Sequence, residues 1–505
     1  MRWQTRSTMR RQPFGSSTRS ESSAVGTVGY CLRKGVEMSN ELWRKSALDL
    51  AEGIRNKKFS SREVVDAHLA RIDAVNPQIN AVVTVLAEEA RAGADAADKA
   101  LTQGGPIGPL HGVPYTVKIN IDVAGQATTQ GITALAEAIP AIDAPTIERM
   151  KTSGAIMLGR TNMPDLGLRV HTDSTLYGRT KNPWKSDRTA GGSSGGEGAA
   201  LASGMTPLGL GNDIGGSLRN PAHCNGIASI MPTKGVVPDA QMFPVEDFGL
   251  SSQVMLGQGV MARRIADVRA GLRVVAGAHA RDPISVPVVL DDFPATKKTR
   301  VAVMANPPGG STHPGIEAVV RNAADALSNA GHDVVEATPP DFELACLLWS
   351  IQMNGELTLQ LELLNMVMGE GGRRFLELTS DGMTPVDFAT WVNAQMQRNG
   401  VARRWSMWFQ DHPILICPTW TEPAFVYDND IKDVENAMGT LQQLRAVLPA
   451  NLLGLPAVVV PGGMADSLPV GVQVIGSRFT DLHCLAIAEQ IESACGLSTP
   501  IDPID

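Results

Sequence analysis

Cysteine is scarce in this chain, and what there is lies scattered. Cys31, Cys224, Cys346, Cys417, Cys484 and Cys495 show no CxxC spacing, and 505 residues can build a core without disulfide staples. They read as reduced, mostly buried thiols. The nine histidines are equally dispersed, with neither HExxH nor a Cys/His cluster, so neither a metal nor an organic cofactor is expected. Excess positive charge is also missing. With 44 basic against 52 acidic residues, no basic field exists to hold nucleic acid or an anionic membrane, and a small neutral or apolar ligand fits better. Apolar runs such as LLGLPAVVV stop well short of the roughly 18 residues a membrane helix requires. A cytoplasmic protein without a transmembrane segment is the expectation, with a homodimer left open.

What is present is alternation. Residues 1–37 are rich in Arg and Ser and poor in acids, which superficially matches a transit peptide; the stronger reading is a disordered or non-native extension ahead of Met38. Ser60 and Glu63 form a capping box, and Val64, Val65, Leu69, Ile72 and Val75 recur on one face, predicting a helix that Asn76-Pro77 stops. From Gly105 onward, short apolar runs (VPYTV, AIMLG, VAVM, VVEA, then ILIC, PAVVV and VGVQVIG) alternate with helical patterns. That order predicts an α/β fold, a sheet covered by helices. Residues 340–410 break the pattern with helical text containing Trp349, Met353, Met366, Met368, Trp391, Met396, Trp405 and Trp408. Most of it reads as core; the alternative is a helical insertion that covers a substrate pocket.

The chemistry concentrates between Gly191 and Ser217, in GGSSGGEGAALASGMTPLGLGNDIGGS. Glycine clusters on either side of a short helix are what a backbone needs to form an anion-binding pocket, and such a pocket suits acyl transfer. Two literal matches fall away. Gly191–Gly195 fits the GxSxG elbow and Gly209-Leu210-Gly211 opens like a dinucleotide loop, but the first needs a downstream acid and histidine and the second lacks its third glycine. What remains is Lys118, Ser193 and Ser217. A serine at its ordinary pKa is a weak nucleophile, and with no histidine in the motif a neutral lysine is the natural base. Lys118 must then titrate far below about 10.4, as burial would make it do.

These residues resemble the amidase signature family. Its GGSSGG loop supplies a bridging serine behind a cis peptide, and a DIGGS loop 24 residues later carries the acyl-accepting serine, the spacing of Ser193 and Ser217 here. Its lysine follows a GxP strand, as Lys118 follows Gly112-Val113-Pro114. The likeness runs from about Ser46 to the C-terminus, looks strongest toward the fatty-acid amide hydrolase branch, and implies that family's fold: one large domain over residues 38–505, with a mixed, mostly twisted central β-sheet covered by helices on both faces. It implies Ser217 as nucleophile, Ser193 as proton relay, Lys118 as base and a cis Gly192–Ser193 bond. It further implies backbone N–H groups of Ile214, Gly215 and Gly216, with Ser217, as an oxyanion hole, Asp213 and Arg219 as loop supports, and Gly167 as a substrate contact. Leu166, Leu168 and His171 neighbour that contact. Ile119 stands where relatives commonly carry an acid, and Asn212 where threonine is usual.

The activity so implied is hydrolysis of the C–N bond of a carboxamide, anilide or carbamate through an acyl-serine. Two other readings stand beside it: the glutamine-hydrolysing component of an amidotransferase working in a tRNA-dependent complex, and an inactive binding or scaffold homologue. The amidotransferase component usually has a tyrosine-rich later half, whereas this chain holds only Tyr30, Tyr115, Tyr177 and Tyr427.

Overall fold

Runs such as Val113–Val117 and Ala457–Val460 are apolar at consecutive positions, the pattern of strands buried on both faces. The computed structural model describes residues 41–243, 249–294, 297–496 and 498–504, so the extension expected over 1–37 lies outside the described residues. Eleven strands form one sheet. In chain order they are β1 (Val82–Val85), β2 (Pro114–Lys118), β3 (Ile156–Thr161), β4 (Leu208–Asp213), β5 (Ala228–Met231), β6 (Gly257–Ala262), β7 (Arg300–Val303), β8 (Asp333–Glu336), β9 (Ile414–Pro418), β10 (Ala457–Ala465) and β11 (Leu468–Gly476). Across the sheet the order is β1-β3-β2-β4-β6-β5-β10-β11-β9-β7-β8. β3, β2 and β4 run parallel, as do β9, β7 and β8, while the strands between them pair antiparallel.

Because successive side chains point to opposite faces, the strands divide their residues between two cores. Val301, Val303, Ile414, Ile416, Val458 and Val460 pack on one face, under helices that include Ile265–Val275, Pro314–Asn329 and Asp481–Cys495. Ala302, Leu415, Cys417, Ala457 and Val459 pack on the other. The mixed sheet covered on both faces is therefore as the sequence implied. No helix among the described residues is long and apolar enough to cross a membrane.

Two expectations need correction. The capped helix α1 (Ser61–Ile79) begins as predicted, with Ser60 Oγ accepting from the Glu63 N–H at 3.1 Å, but Pro77 does not stop it. Pro77 gives up one helical hydrogen bond and its ring crowds the carbonyl of Asp73, yet the helix runs on to Ile79 and ends at Asn80, in the left-handed conformation (φ 58°). The 340–410 text is not mainly core either. It forms three helices introduced below, in which Trp405 is buried but Met366 and Met396 are about 70% exposed.

Candidate active site

β2 and β4 are parallel neighbours, with Thr116 opposite Gly209 and Val117 opposite Leu210, so both chains reach the same edge of the sheet together. There they deliver Lys118 and Asn212. The Lys118 Nζ lies 2.7 Å from Ser193 Oγ and donates to Asn212 Oδ1 at 2.8 Å. Asn212 is itself held by a reciprocal amide pair with Asn120, at 3.1 and 3.2 Å. Lys118 is fully buried, and burial pushes its ammonium pKa down to about 7 against the pull of Asp213 and Glu197.

Ser193 follows a cis Gly192–Ser193 peptide and lies two residues before helix α2 (Gly195–Ala202). Ser217 lies two residues before helix α3 (Arg219–Asn225). The two glycine loops are stitched together: the Ser194 N–H donates to Ser217 O at 3.2 Å and the Gly192 N–H to Asn220 Oδ1 at 3.0 Å. Both serine hydroxyls reach one cavity, although no hydrogen bond joins them among the described residues. Such bonds are commonly long before substrate tightens them.

Asp213 and Arg219 organise the second loop. The Asp213 carboxylate accepts from the Gly216 N–H at 2.7 Å, from the Leu218 N–H at 3.0 Å and from both Arg219 Nε and Nη2, at 3.0 and 2.9 Å. Burial works to raise its pKa, but Arg219, Asn451 and the Gly216 N–H outweigh it and hold the acid at about 2. Arg219 is satisfied in turn by Val447 O, Gln473 Oε1 and Asn451 Oδ1. The Gly216 amide, one of the donors the resemblance implies for an oxyanion, is thus committed to Asp213.

Gly167 closes the other side. It sits in the left-handed region (φ +72°) in a 3-10 turn, and a Cβ there would lie 3.3 Å from Ser193 Oγ. Leu166 and Leu168 beside it pack toward Leu364 and Met368. His171, from the same stretch, is buried and bonded through Nδ1 to Thr189 Oγ1 at 2.9 Å; the nearby Asp173 and Asp428 face Arg169, which donates to Asp428 at 2.7 Å.

The 340–410 segment comprises α4 (Phe342–Val367), α5 (Glu370–Asp381) and α6 (Phe388–Asp411). Met353, Leu357, Leu364 and Val367 of α4 line the cavity together with Ile132, Leu135 and Leu166. The space measures about 400 Å³; apart from the end formed by Asn120, Ser193, Asn212 and Ser217, its mainly apolar lining is interrupted by Gln130, Gln241, Ser252, Glu356 and Gln360. A lysine of lowered pKa against a serine, beside backbone amides and an apolar chamber, is equipped to deprotonate a hydroxyl and stabilise an oxyanion.

A family model described as Amidase matches residues 63–485. The chain belongs to the amidase signature family. The amidase is 38% identical to the indoleacetamide hydrolase of Bradyrhizobium diazoefficiens, over 90% of this chain and 87% of that protein. It is 32% identical to the 6-aminohexanoate-cyclic-dimer hydrolase of Paenarthrobacter ureafaciens, over 90% of this chain and 95% of the other. A solved structure of 6-aminohexanoate cyclic dimer hydrolase complexed with substrate superposes with a TM-score of 0.77 at 29% identity, covering 90% of this amidase and 98% of that chain. The glutamyl-tRNA(Gln) amidotransferase of Salinispora arenicola has a component 31% identical to this amidase, over 91% of this chain and 99% of that one.

Two residues of the site are not evident from the sequence. Asn212 stands out there only as a departure from the family pattern, yet its carbonyl oxygen is the second partner of Lys118. Glu197 carries no motif of its own: fully buried on α2, it accepts from Thr161 Oγ1 at 2.7 Å and from Thr116 Oγ1, and burial pushes its pKa up to about 7 against those hydroxyls and Lys118. The signal for it is Gly209. A Cβ there would overlap Glu197 Oε1, so the glycine that resembles a dinucleotide loop makes room for a carboxylate.

Proposed function

We propose that this amidase hydrolyses small or medium carboxamides whose acyl group is apolar, aryl or alkyl, through an acyl-enzyme on Ser217. The observation that carries the reading is the contact of Lys118 Nζ with Ser193 Oγ at 2.7 Å, fully buried, with Ser193 and Ser217 opening on one apolar cavity. In its neutral form Lys118 has two N–H groups and one lone pair. With one N–H given to Asn212 Oδ1, the lone pair can accept the Ser193 proton, and Ser193 Oγ can accept that of Ser217.

Ser217 Oγ then adds to the carbonyl carbon, its proton passing to Ser193 as the Ser193 proton passes to Lys118. The negative oxygen forms opposite the amides of Ile214, Gly215 and Ser217. As the C–N bond breaks, the proton returns from Lys118 through Ser193 to the leaving nitrogen, and ammonia or an amine departs. Water enters, loses a proton along the same relay, and cleaves the ester; the carboxylic acid leaves and the proton returns to Ser217 Oγ.

The apolar wall contributed by α4 and the similarity to an indoleacetamide hydrolase favour an aryl-bearing primary amide over glutamine. A scaffold without activity would have no use for a buried lysine held near neutrality. Anilides and carbamates fall within the same chemistry. Turnover on arylacetamides, aliphatic amides, anilides, carbamates and glutamine tests the assignment: arylacetamides should react fastest, and Ser217→Ala should lose about three orders of magnitude or more. Exclusive turnover of glutamine, or full activity of Ser217→Ala, would overturn it.

A further inference from the structure

Three amides of the loop after β4 stay available for an oxyanion, and something must aim them. In a trans peptide the carbonyl and the N–H of one plane point in opposite directions, so a donor that anchors the carbonyl also directs the N–H. Among the described residues the cis bonds are Gly192–Ser193 and Thr499–Pro500, so the peptides of this loop are trans. Each of the three has its carbonyl anchored. Asn451 Nδ2 donates to Asp213 O at 3.2 Å, opposite the Ile214 N–H; the Asn220 N–H donates to Gly216 O at 2.6 Å, opposite that of Ser217. The middle plane is held by Trp349 of α4, whose Nε1–H donates to Ile214 O at 2.8 Å, opposite the Gly215 N–H.

The indole also lies against the loop. A Cβ on Gly215 would come within 2.5 Å of Trp349 Cζ2 and 3.1 Å of Cη2, so glycine at 215 is what lets the ring seat. One helical turn further along α4, Met353 lines the cavity. The helix that shapes the acyl chamber is thus the helix that fixes an oxyanion donor.

We propose that Trp349 is a positioning residue for the reaction: it touches no reacting atom, and through Ile214 O it aims the Gly215 N–H at the oxyanion. The inference rests on the serine-amidase reading above. Trp349→Phe keeps most of the ring and removes the donor. Replacing Trp349 with 3-benzothienylalanine removes the N–H at nearly constant shape, which guards against a packing or folding defect in the Phe variant. Losing an oxyanion donor outright costs about 10²–10³ in rate, so misaiming one should lower kcat about 10- to 100-fold in both variants, with KM within about threefold.

Affinity for a trifluoromethyl ketone, which forms a tetrahedral oxyanion on the serine, should fall by a similar factor, while affinity for the product acid holds. Wild-type kcat in the benzothienyl protein, or equal losses for ketone and product, would overturn the proposal. Ser217→Ala assayed in parallel separates the two levels. If it stays active the underlying mechanism fails, whereas if it is inactive and the Trp349 variants keep wild-type kcat, this inference alone fails.

Discussion

An ammonium without water around it is costly, and a lysine can occupy such a place by giving up its proton. Lys118 is fully buried with its pKa lowered to about 7, so near neutrality a large share of the enzyme holds the free amine that the mechanism needs. Protonation below about 7 removes the base. We expect log kcat/KM to rise with unit slope up to about pH 7 and then level off, and Lys118→Met to lose both the rate and the slope, as a pH–rate profile would record. Gly167 offers a steric test. Alanine there must hold a left-handed backbone, at about 1–2 kcal/mol, and place a methyl 3.3 Å from Ser193 Oγ; we expect kcat to drop at least about tenfold with a modest fall in Tm, read by steady-state kinetics and thermal unfolding. At this scale Lys118, Ser193 and Ser217 are legible in the sequence because each sits in a short motif of fixed spacing. Asn212 and Glu197 are not, because their roles depend on the pairing of β2 with β4 and on how α2 lies against them, which a local pattern does not encode.

Between residue and fold stand the loops and helices that set geometry. The Asp213–Arg219 pair is fully buried and richly hydrogen-bonded, tying the loop after β4 to α3 and to Asn451. Breaking such a pair by removing one partner strands a charge, so Arg219→Met should cost about 3–5 kcal/mol in chemical denaturation, whereas removing the Ser60 cap of α1 by Ser60→Ala should cost only about 1 kcal/mol. The loop-supporting roles of Asp213 and Arg219 could be anticipated from the resemblance; that the Asp213 carboxylate would take the Gly216 amide could not, because it depends on the turn's dihedral angles, including φ +101° at Gly216. The 340–410 segment teaches a similar lesson. Its Met and Trp text reads as core by composition, but whether a stripe is buried depends on what packs opposite: Trp405 meets Phe342 and Phe409, while Met366 and Met396 stay exposed.

Over the whole molecule, α/β class and helical cover follow from alternation along the chain, while the strand order does not. β10 and β11 lie in the middle of the sheet although they come last, a crossover that depends on which strands find partners rather than on any local signal. That sheet brings segments nearly a hundred residues apart to one edge, with Lys118 and Asn212 side by side and the wall from α4 across the cavity. Enlarging the chamber with Leu357→Ala should raise KM for arylacetamides more than it lowers kcat, since the lost contacts serve substrate and transition state alike; steady-state kinetics on a short and a long acyl series would reveal it. The central claim, that this assembly makes Ser217 a nucleophile, is tested most directly by reacting the enzyme with a fluorophosphonate and mapping the modified peptide by mass spectrometry. The expected result is a single adduct on Ser217, absent from Ser217→Ala and much slowed in Lys118→Met. An adduct on another residue, or undiminished labelling of Ser217→Ala, would contradict it.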